Sequence, residues 1–264
     1  MSITPLISIV TVVYNDVSGL ERTILSVINQ SSKNYEFIVV DGNSNDGTVD
    51  IIKNYAAHID VIISEPDDGL YDAMNKGIKL SNGKWIYFLN SNDYLLKDTT
   101  LSEIENLLDD DFDVVHFNCE VTNNRGEFVH VRKFPRSVHE ISTWPCIQHQ
   151  SVFTKKSTIM DFIGFNTKYK ILADYDLFVR FYKEGKKFIF HKGIYISNYN
   201  SQGKSAQKKN IDICRDELRF IQLTHFNKVS RSMLIQMYCK KLLYKLPFGG
   251  VIVSYIKGVF FERR

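Results

Sequence analysis

The stretch ISIVTVVY, residues 7–14, decides how the chain is to be read. It is nearly continuously apolar and rich in β-branched residues, so it reads as a strand buried on both faces. Working outward, Leu20, Ile24, Val27 and Ile28 follow at helical spacing, and EFIVVD (36–41) is a second strand. GTVDIIKNYA reads as a helix with Thr48 as its N-cap. DVIISE (60–65) is a third strand, followed by a helix through LYDAMNKGIKL. WIYFLN (85–90) is a fourth, followed by a helix near 99–109, and FDVVHFN (112–118) a fifth. Strands alternating with helices at this spacing predict an α/β fold with a mostly parallel, twisted sheet and helices on both faces. Beyond residue 119 the pattern loosens. EFVHVRKF alternates like an exposed strand, and 135–150 is irregular. A helix begins at Asp174 and carries Leu177, Phe178 and Phe181; KFIFHKGIYIS (187–197) is strand-like, and a polar helix occupies 206–223.

With 264 residues, 44% hydrophobic and 24% charged, the chain suits a soluble globular protein of one large domain, with or without an appendage. Cys119, Cys146, Cys214 and Cys239 form no CxxC pair and no zinc-like spacing, which points to free, reduced thiols in the cytosol. No charged-then-apolar leader and no run of 18 apolar residues is present, so neither export nor membrane spanning is expected. The net charge of +3 conceals an asymmetry: residues 226–264 hold eight Lys and Arg against one acid. The body before them is slightly acidic.

In open α/β sheets ligands bind beyond the carboxyl ends of the strands. Those ends carry Tyr14-Asn15-Asp16, Asp41-Gly42-Asn43, Glu65 to Gly69, and Asn90-Ser91-Asn92-Asp93. A single Asx after a strand is ordinarily a turn former; four converging polar ends point to a site. The glycine pattern narrows its type. Neither G-x-G-x-x-G nor G-x-x-x-x-G-K-[ST] follows the first strand, which disfavours a Rossmann dehydrogenase and a P-loop enzyme. No glycine-rich loop ending in Arg or Lys is there either, which makes a sugar nucleotidyltransferase a distant reading.

SIVTVVYN, VVDGNSNDGT, SEPDDGLYDAMNKGI and GKWIYFLNSND together resemble, in order and spacing, the family 2 glycosyltransferases. The likeness is greatest to the bacterial branch that assembles colanic-acid-type and capsular polysaccharides, and it covers roughly residues 5–205. It implies a GT-A fold, a nucleotide-binding α/β domain merged with an acceptor-binding region. It also implies inverting transfer of a sugar from a nucleotide diphospho-sugar to a hydroxyl of a saccharide or polyprenyl-diphosphate-linked acceptor. Uridine is the commonest donor base in such families.

Carried onto this sequence, the resemblance places Val12, Tyr14 and Asn15 beside the nucleoside and has Asp41 accept a hydrogen bond from base or ribose. It sets Asp67 to Asp72 near nucleoside and diphosphate, with Lys76 neutralising phosphate; Tyr71 and Met74 read as packing residues. In ILADYDLFVRF (171–181) it puts the catalytic base at Asp174, with Ala173 where members carry an acid. A helix N-terminus favours the ionised carboxylate that a general base requires. QHQSVF (148–153) resembles an acceptor-lining segment, so His149 and Gln150, with Asp176, are candidates to touch the acceptor. GKS (203–205) falls where members have a loop that closes over the diphosphate. The leaving diphosphate calls for a cation. Mg²⁺ or Mn²⁺ held by one or two carboxylates plus phosphates would use Asp93, assisted by Asn90, Ser91 or Asn92. Ser91, Asn92 and Asp93 would line the diphosphate. Ala173 and Asn92 keep a second reading open, a catalytically inactive nucleotide-sugar binder or scaffold in a polysaccharide-assembly complex.

These readings divide the chain into a GT-A domain at 1–205, with a nucleotide half to 118 and an acceptor half from 119, and a basic helical extension at 206–264. The extension mixes apolar and basic residues, and GGVIVSYIKGVFF is too short to span a bilayer but apolar enough to lie on one. Anionic lipid at the inner face of the cytoplasmic membrane is the expected partner. No nucleic-acid recognition motif accompanies the charge, so no nucleic acid is expected.

Overall fold

The computed structural model describes residues 4–122, 128–131, 135, 137–200 and 208–243. Its strands are β1 (Ile7–Val13), β2 (Tyr35–Asp41), β3 (Val61–Ser64), β4 (Trp85–Phe88), β5 (Tyr94–Leu95), β6 (Val114–Thr122), β7 (Phe128–Val131), β8 (Val152–Lys155) and β9 (Phe188–Asn200). Its α-helices are α1 (Val17–Ile28), α2 (Thr48–Asn54), α3 (Leu70–Leu80), α4 (Thr100–Ile104), α5 (Lys156–Asp161), α6 (Ala173–Lys183), α7 (Ile211–Phe226) and α8 (Arg231–Leu243).

All seven residues of β1 are buried, and its side chains divide between two cores. Val10 and Val12 face one side with α3 and α6, against Met74, Ile78, Phe178 and Phe181. Ile7, Ile9 and Val13 face the other with α1 and α4, against Leu20, Ile24 and Leu101. β2 alternates in the same way, Ile38 and Val40 to the first core, Phe37 and Val39 to the second. Burying a side chain of this size contributes about 1.5–3 kcal/mol, so helices on both faces are what the two-sided strands require.

The sheet runs β3-β2-β1-β4-β8-β6-β9-β5, with β7 also paired to β6. β3, β2, β1 and β4 are parallel, as the sequence indicates. β8 then inserts antiparallel between β4 and β6, and β9 lies parallel to β6. The sheet is therefore mixed beyond β4, with helices on both faces. β8, with only two apolar residues, and the two-residue β5 leave no pattern. β6 spans 114–122, so the expected division at residue 118 falls inside a strand shared by the one sheet.

Thr48 is the first residue of α2 and not its cap; Gly47 takes that place with φ 102°. The Thr48 hydroxyl instead donates to Asp46 Oδ1 at 2.6 Å. At the start of β2, Glu36 accepts from Ser8 Oγ (2.5 Å), Gly83 N (3.0 Å) and Asn82 Nδ2 (3.1 Å). Burial pushes the Glu36 carboxyl up, but these donors outweigh it and leave the group below its ordinary value. Cys119, Cys146 and Cys214 are buried free thiols and Cys239, on α8, is exposed. Among the described residues no helix is long and apolar enough to cross a membrane. The GKS segment and GGVIVSYIKGVFF lie outside the described residues.

Candidate active site

The strand ends of β1, β2 and β3 meet in turns that their own short side chains stabilise. Asn15 (φ 51°), Asn43 (φ 65°) and Asn92 (φ 74°) hold the left-handed conformation, which a short polar side chain tolerates best after glycine. Asn15 Oδ1 accepts from Asn45 N at 2.9 Å, and Asn15 N donates to Ser44 Oγ at 2.8 Å. Tyr14 is exposed. Val12 is buried, and its carbonyl accepts from Ser91 N at 3.2 Å. Asp41 is fully buried and accepts from Ser44 N (3.0 Å) and Ser64 Oγ (2.6 Å). Its carboxylate is thus spent on closing the turn, which departs from the expected role as an acceptor for base or ribose.

A Cβ at Gly42 would come within 2.4 Å of Asp67 Oδ2 and 3.3 Å of the Tyr14 ring, so the close approach of these two side chains requires glycine there. Asp67 Oδ1 accepts from Gly69 N at 2.8 Å, which fixes the carboxylate beside Gly42. Lys76 departs from its expected role at phosphate. It donates to Pro66 O (2.7 Å), pairs with Glu65 (2.9 Å) and lies 3.6 Å from Asp72. Chiefly through its hydrogen bond to Glu65, its ammonium titrates above the ordinary lysine value. Lys76 therefore fastens the 65–72 loop.

Beyond β4, Ser91 Oγ donates to Asp16 Oδ2 at 2.7 Å, and Asp16 Oδ1 caps α1 at Gly19 N. Thr23 of α1, which the sequence reading passed over, accepts from Asn92 N (3.0 Å) and donates to Asp93 O (2.7 Å). A divalent cation at this turn needs several oxygens aimed at one point. Asp93 does not meet that need. It is only 5% exposed and turned inward near Tyr87, whose phenol is pushed up by burial and further by the Asp93 charge. The Asn92 amide oxygen is taken by Arg22 at 3.2 Å. Among the described residues no group of three or more His, Cys, Asp and Glu is placed to hold a metal. The site expected at Asp93, one carboxylate completed by the donor's phosphates, is of a different kind, and its carboxylate is nearly buried here.

The base-side residues do converge. Asp174 opens α6, and its Oδ1 accepts from Tyr175 N (2.8 Å) and from Tyr71 Oη (3.3 Å). His149 Nδ1 lies 3.0 Å from Asp174 Oδ2, and His149 Nε2 lies 3.0 Å from Asn90 Nδ2. Tyr71 packs in the core as expected, yet its hydroxyl reaches both Asp174 and the Ile171 carbonyl (2.5 Å). Burial and the Asp174 charge raise that phenol well above its usual value, so it remains a fixed O–H donor. Ala173 is fully buried, so the missing acid marks a packing position at the helix start.

Two residues expected at the acceptor lie inside. Asp176 is 2% exposed, bound to Arg180 Nε (2.9 Å) and facing His225 Nε2 (3.4 Å). Gln150 is buried, and its carbonyl accepts from Tyr87 Oη (2.8 Å) and Ser197 Oγ (2.5 Å). Space for a second ligand is found instead in a cleft of about 340 Å³ lined by Gly69, Tyr71, Tyr169, Ile171 and Ile213. Glu217 of α7 braces its wall, accepting from the backbone N–H groups of Lys170 (2.6 Å), Ile171 (3.1 Å) and Leu172 (2.9 Å). Its three bonds fix the segment leading into α6, whose N-cap Leu172 makes no side-chain capping bond. No local signal links Glu217 to Leu172, 45 residues earlier in the chain.

A family described as Glycosyl transferase family 2 matches residues 8–178. A PGL/p-HBAD biosynthesis glycosyltransferase of Mycobacterium bovis is 26% identical over 204 residues, 75% of this chain and 78% of the relative. TuaG of Bacillus subtilis, named for teichuronic acid biosynthesis, is 35% identical over 108 residues, 40% of this chain and 43% of its own. Among solved structures, S. aureus TarS 1–349 with UDP-GlcNAc superposes with a TM-score of 0.64 at 17% identity, over 89% of this chain and 71% of that one. The mannosyltransferase PcManGT of Pyrobaculum calidifontis, with GDP-Man and Mn²⁺, gives 0.65 at 14% identity over 96% and 75%. At such identities the structural likeness establishes the GT-A fold and no more.

Proposed function

The chain belongs to glycosyl transferase family 2, and from that premise we propose an inverting transfer of a sugar from a nucleotide diphospho-sugar to a carbohydrate hydroxyl, with Asp174 as the base. One observation carries this reading. Asp174 stands at a helix start, receives hydrogen bonds from Tyr71 and the Tyr175 backbone, and connects through His149 to the turn after β4. A carboxylate held in place in this way can take a proton from a hydroxyl brought to its open oxygen.

In the proposed step Asp174 accepts the proton of the acceptor hydroxyl while that oxygen bonds to the anomeric carbon. The bond from that carbon to the diphosphate breaks on the opposite face, and its electron pair leaves with the diphosphate. The nucleoside lies against the turn that carries Gly42, Tyr14 and Asp67. Asn15, Asp41 and Lys76 hold the surrounding turns, and Ser91 and Asn92 border the diphosphate. The acceptor enters by the cleft between α3 and α7, whose wall includes Tyr71. The names of the mycobacterial and Bacillus relatives support a cell-surface glycan or glycolipid as the product. The nucleotide sugars in the structural neighbours support a uridine or guanosine diphosphate donor.

An inner-membrane surface is the proposed workplace. Ile235, Tyr238 and Leu242 form an exposed stripe at i, i+3 and i+7 on α8, while Met233 and Met237 pack against the body. An apolar stripe in a basic segment suits an anionic lipid interface.

Nucleotide sugars are to be screened by thermal stabilisation, and the stabilising donor tested for transfer. Asp174→Asn is expected to lower kcat about 10³-fold or more, with donor affinity within about threefold of wild type. Full turnover in that variant overturns the base assignment. Donor binding without any turnover by the wild type would favour the inactive binder.

A further inference from the structure

Asn90, His149 and Asp174 form a chain of hydrogen bonds from the turn after β4 to the base, and its proton placement follows from chemistry alone. Asn90 Nδ2 can only donate, so the His149 Nε2 it meets at 3.0 Å must accept. A neutral imidazole with an accepting Nε2 carries its proton on Nδ1, and Nδ1 faces Asp174 Oδ2 at 3.0 Å. Turning the Asn90 amide over would leave an unprotonated Nδ1 against a carboxylate, or require an imidazolium. Only the first arrangement is self-consistent with a neutral ring.

Resting on the family 2 reading above, we infer that His149 is a positioning residue for the base: Asn90 selects its Nδ1–H tautomer, and that N–H fixes the Asp174 carboxylate. With Oδ1 held by the Tyr175 backbone N–H at 2.8 Å, and Oδ2 held on one side by His149, one lone pair of Oδ2 stays open for the acceptor hydroxyl. No proton travels along the chain; His149 keeps its own proton throughout, and Asp174 ends the step as a carboxylic acid. Both members are largely sheltered, the side chains of His149 and Asp174 being 12% and 18% exposed, so water competes weakly for these bonds. Asn90 Oδ1 is buried and has no hydrogen-bond partner among the described residues. A buried acceptor left open is costly, and turning the amide over to place that oxygen at Nε2 would sacrifice the Nδ1–H bond to Asp174.

Two measurements test the inference separately from the reading it rests on. The first needs no substrate. Nitrogen-15 NMR of the imidazoles, with His149 among seven histidines identified by its loss in His149→Asn, should show the Nδ1–H tautomer. An Nε2–H tautomer overturns the inference. The second is kinetic. His149→Ala is expected to lower kcat about 10²-fold with KM for both substrates within about threefold. His149→Asn, whose amide stands where Nδ1 stood, should recover about tenfold of that loss, and His149→Gln should not, since its amide stands nearer Nε2. Asn90→Ala should cost little more once His149 is alanine, because the two act in series. Asn and Gln variants of equal activity, or additive losses, overturn the inference while the glycosyltransferase reading stands. An active Asp174→Asn variant overturns both.

Discussion

The donor side and the base side of this site are held by opposite means. On the donor side each turn ties itself in part: Asp41 to Ser44, Asp16 to Gly19, Asp67 to Gly69, each bond spanning two or three residues, with Ser91 to Asp16 and Thr23 to Asp93 adding links across 75 and 70. On the base side only the Tyr175 N–H is local, and the other supports arrive from far along the chain. Tyr71 reaches Asp174 across 103 residues, His149 across 25, and Glu217 reaches Leu172 across 45. Local bonds form with the turn and need no tertiary partner; distant ones exist only when the whole sheet and α7 are in place. Donor recognition should therefore tolerate damage that catalysis does not.

The strongest test of that contrast is Glu217→Ala. It strips an acceptor from three backbone N–H groups, each worth about 1–3 kcal/mol if left unsatisfied. The expected result is a kcat lowered about 10²-fold and a Tm lowered by several degrees, at about 2–4 °C per kcal/mol, with donor affinity retained. Equal losses of kcat and donor affinity would show that the two sides are not separable. Next in size is Gly42→Ala, whose Cβ would meet Asp67 Oδ2 at 2.4 Å and displace that carboxylate. Steady-state kinetics should show donor KM raised about tenfold with kcat little changed, the reverse of the Glu217 pattern. Asn43→Ala is smaller still. Alanine at φ 65° costs about 1–2 kcal/mol, visible as a lower denaturant midpoint with kinetics near wild type.

The smallest effect concerns acid stability. The Glu36 carboxyl is depressed in the folded state, so it contributes stability above the unfolded carboxylate value, about 4.3, that is lost as pH falls through the folded value. Wild type should be more stable than Glu36→Gln at pH 7. The gap should close on titration below about pH 4; a gap that stays constant would remove Glu36 from the linkage.

The same contrast explains what could be read from the sequence. The parallel strands β1 to β4 and helices α1 and α3 were legible because continuous apolar runs and 3.6-residue spacing mark them, although β3 alternates between half-buried and exposed. The turn residues at the strand ends were legible as a group for the same local reason, though not their individual duties. Asp41 and Lys76 are consumed in holding loops, and Asp93 turns inward, because competition between a ligand and a neighbouring hydrogen bond is decided in three dimensions. Asp174 was found from a motif, but Asp176, two residues on, belongs to a buried pair with Arg180. Glu217 and the Tyr71 hydroxyl carried no sequence signal at all, since nothing local distinguishes a carboxylate or phenol that will reach across the fold. β8 escaped because its four residues, VFTK, hold only two apolar ones and follow an irregular segment.

The distribution of the thiols gives the molecule a built-in reporter. Burial pushes the Cys146 thiol up to about 12, so at neutral pH it presents almost no thiolate. Cys119 and Cys214 are also buried, which leaves Cys239 on α8 as the single exposed sulfur of the four. A maleimide fluorophore added to the native protein should couple at one equivalent per chain, without any engineered cysteine. The dye would sit beside Tyr238 on the proposed lipid-facing helix, where its emission would shift on transfer from water to a bilayer surface.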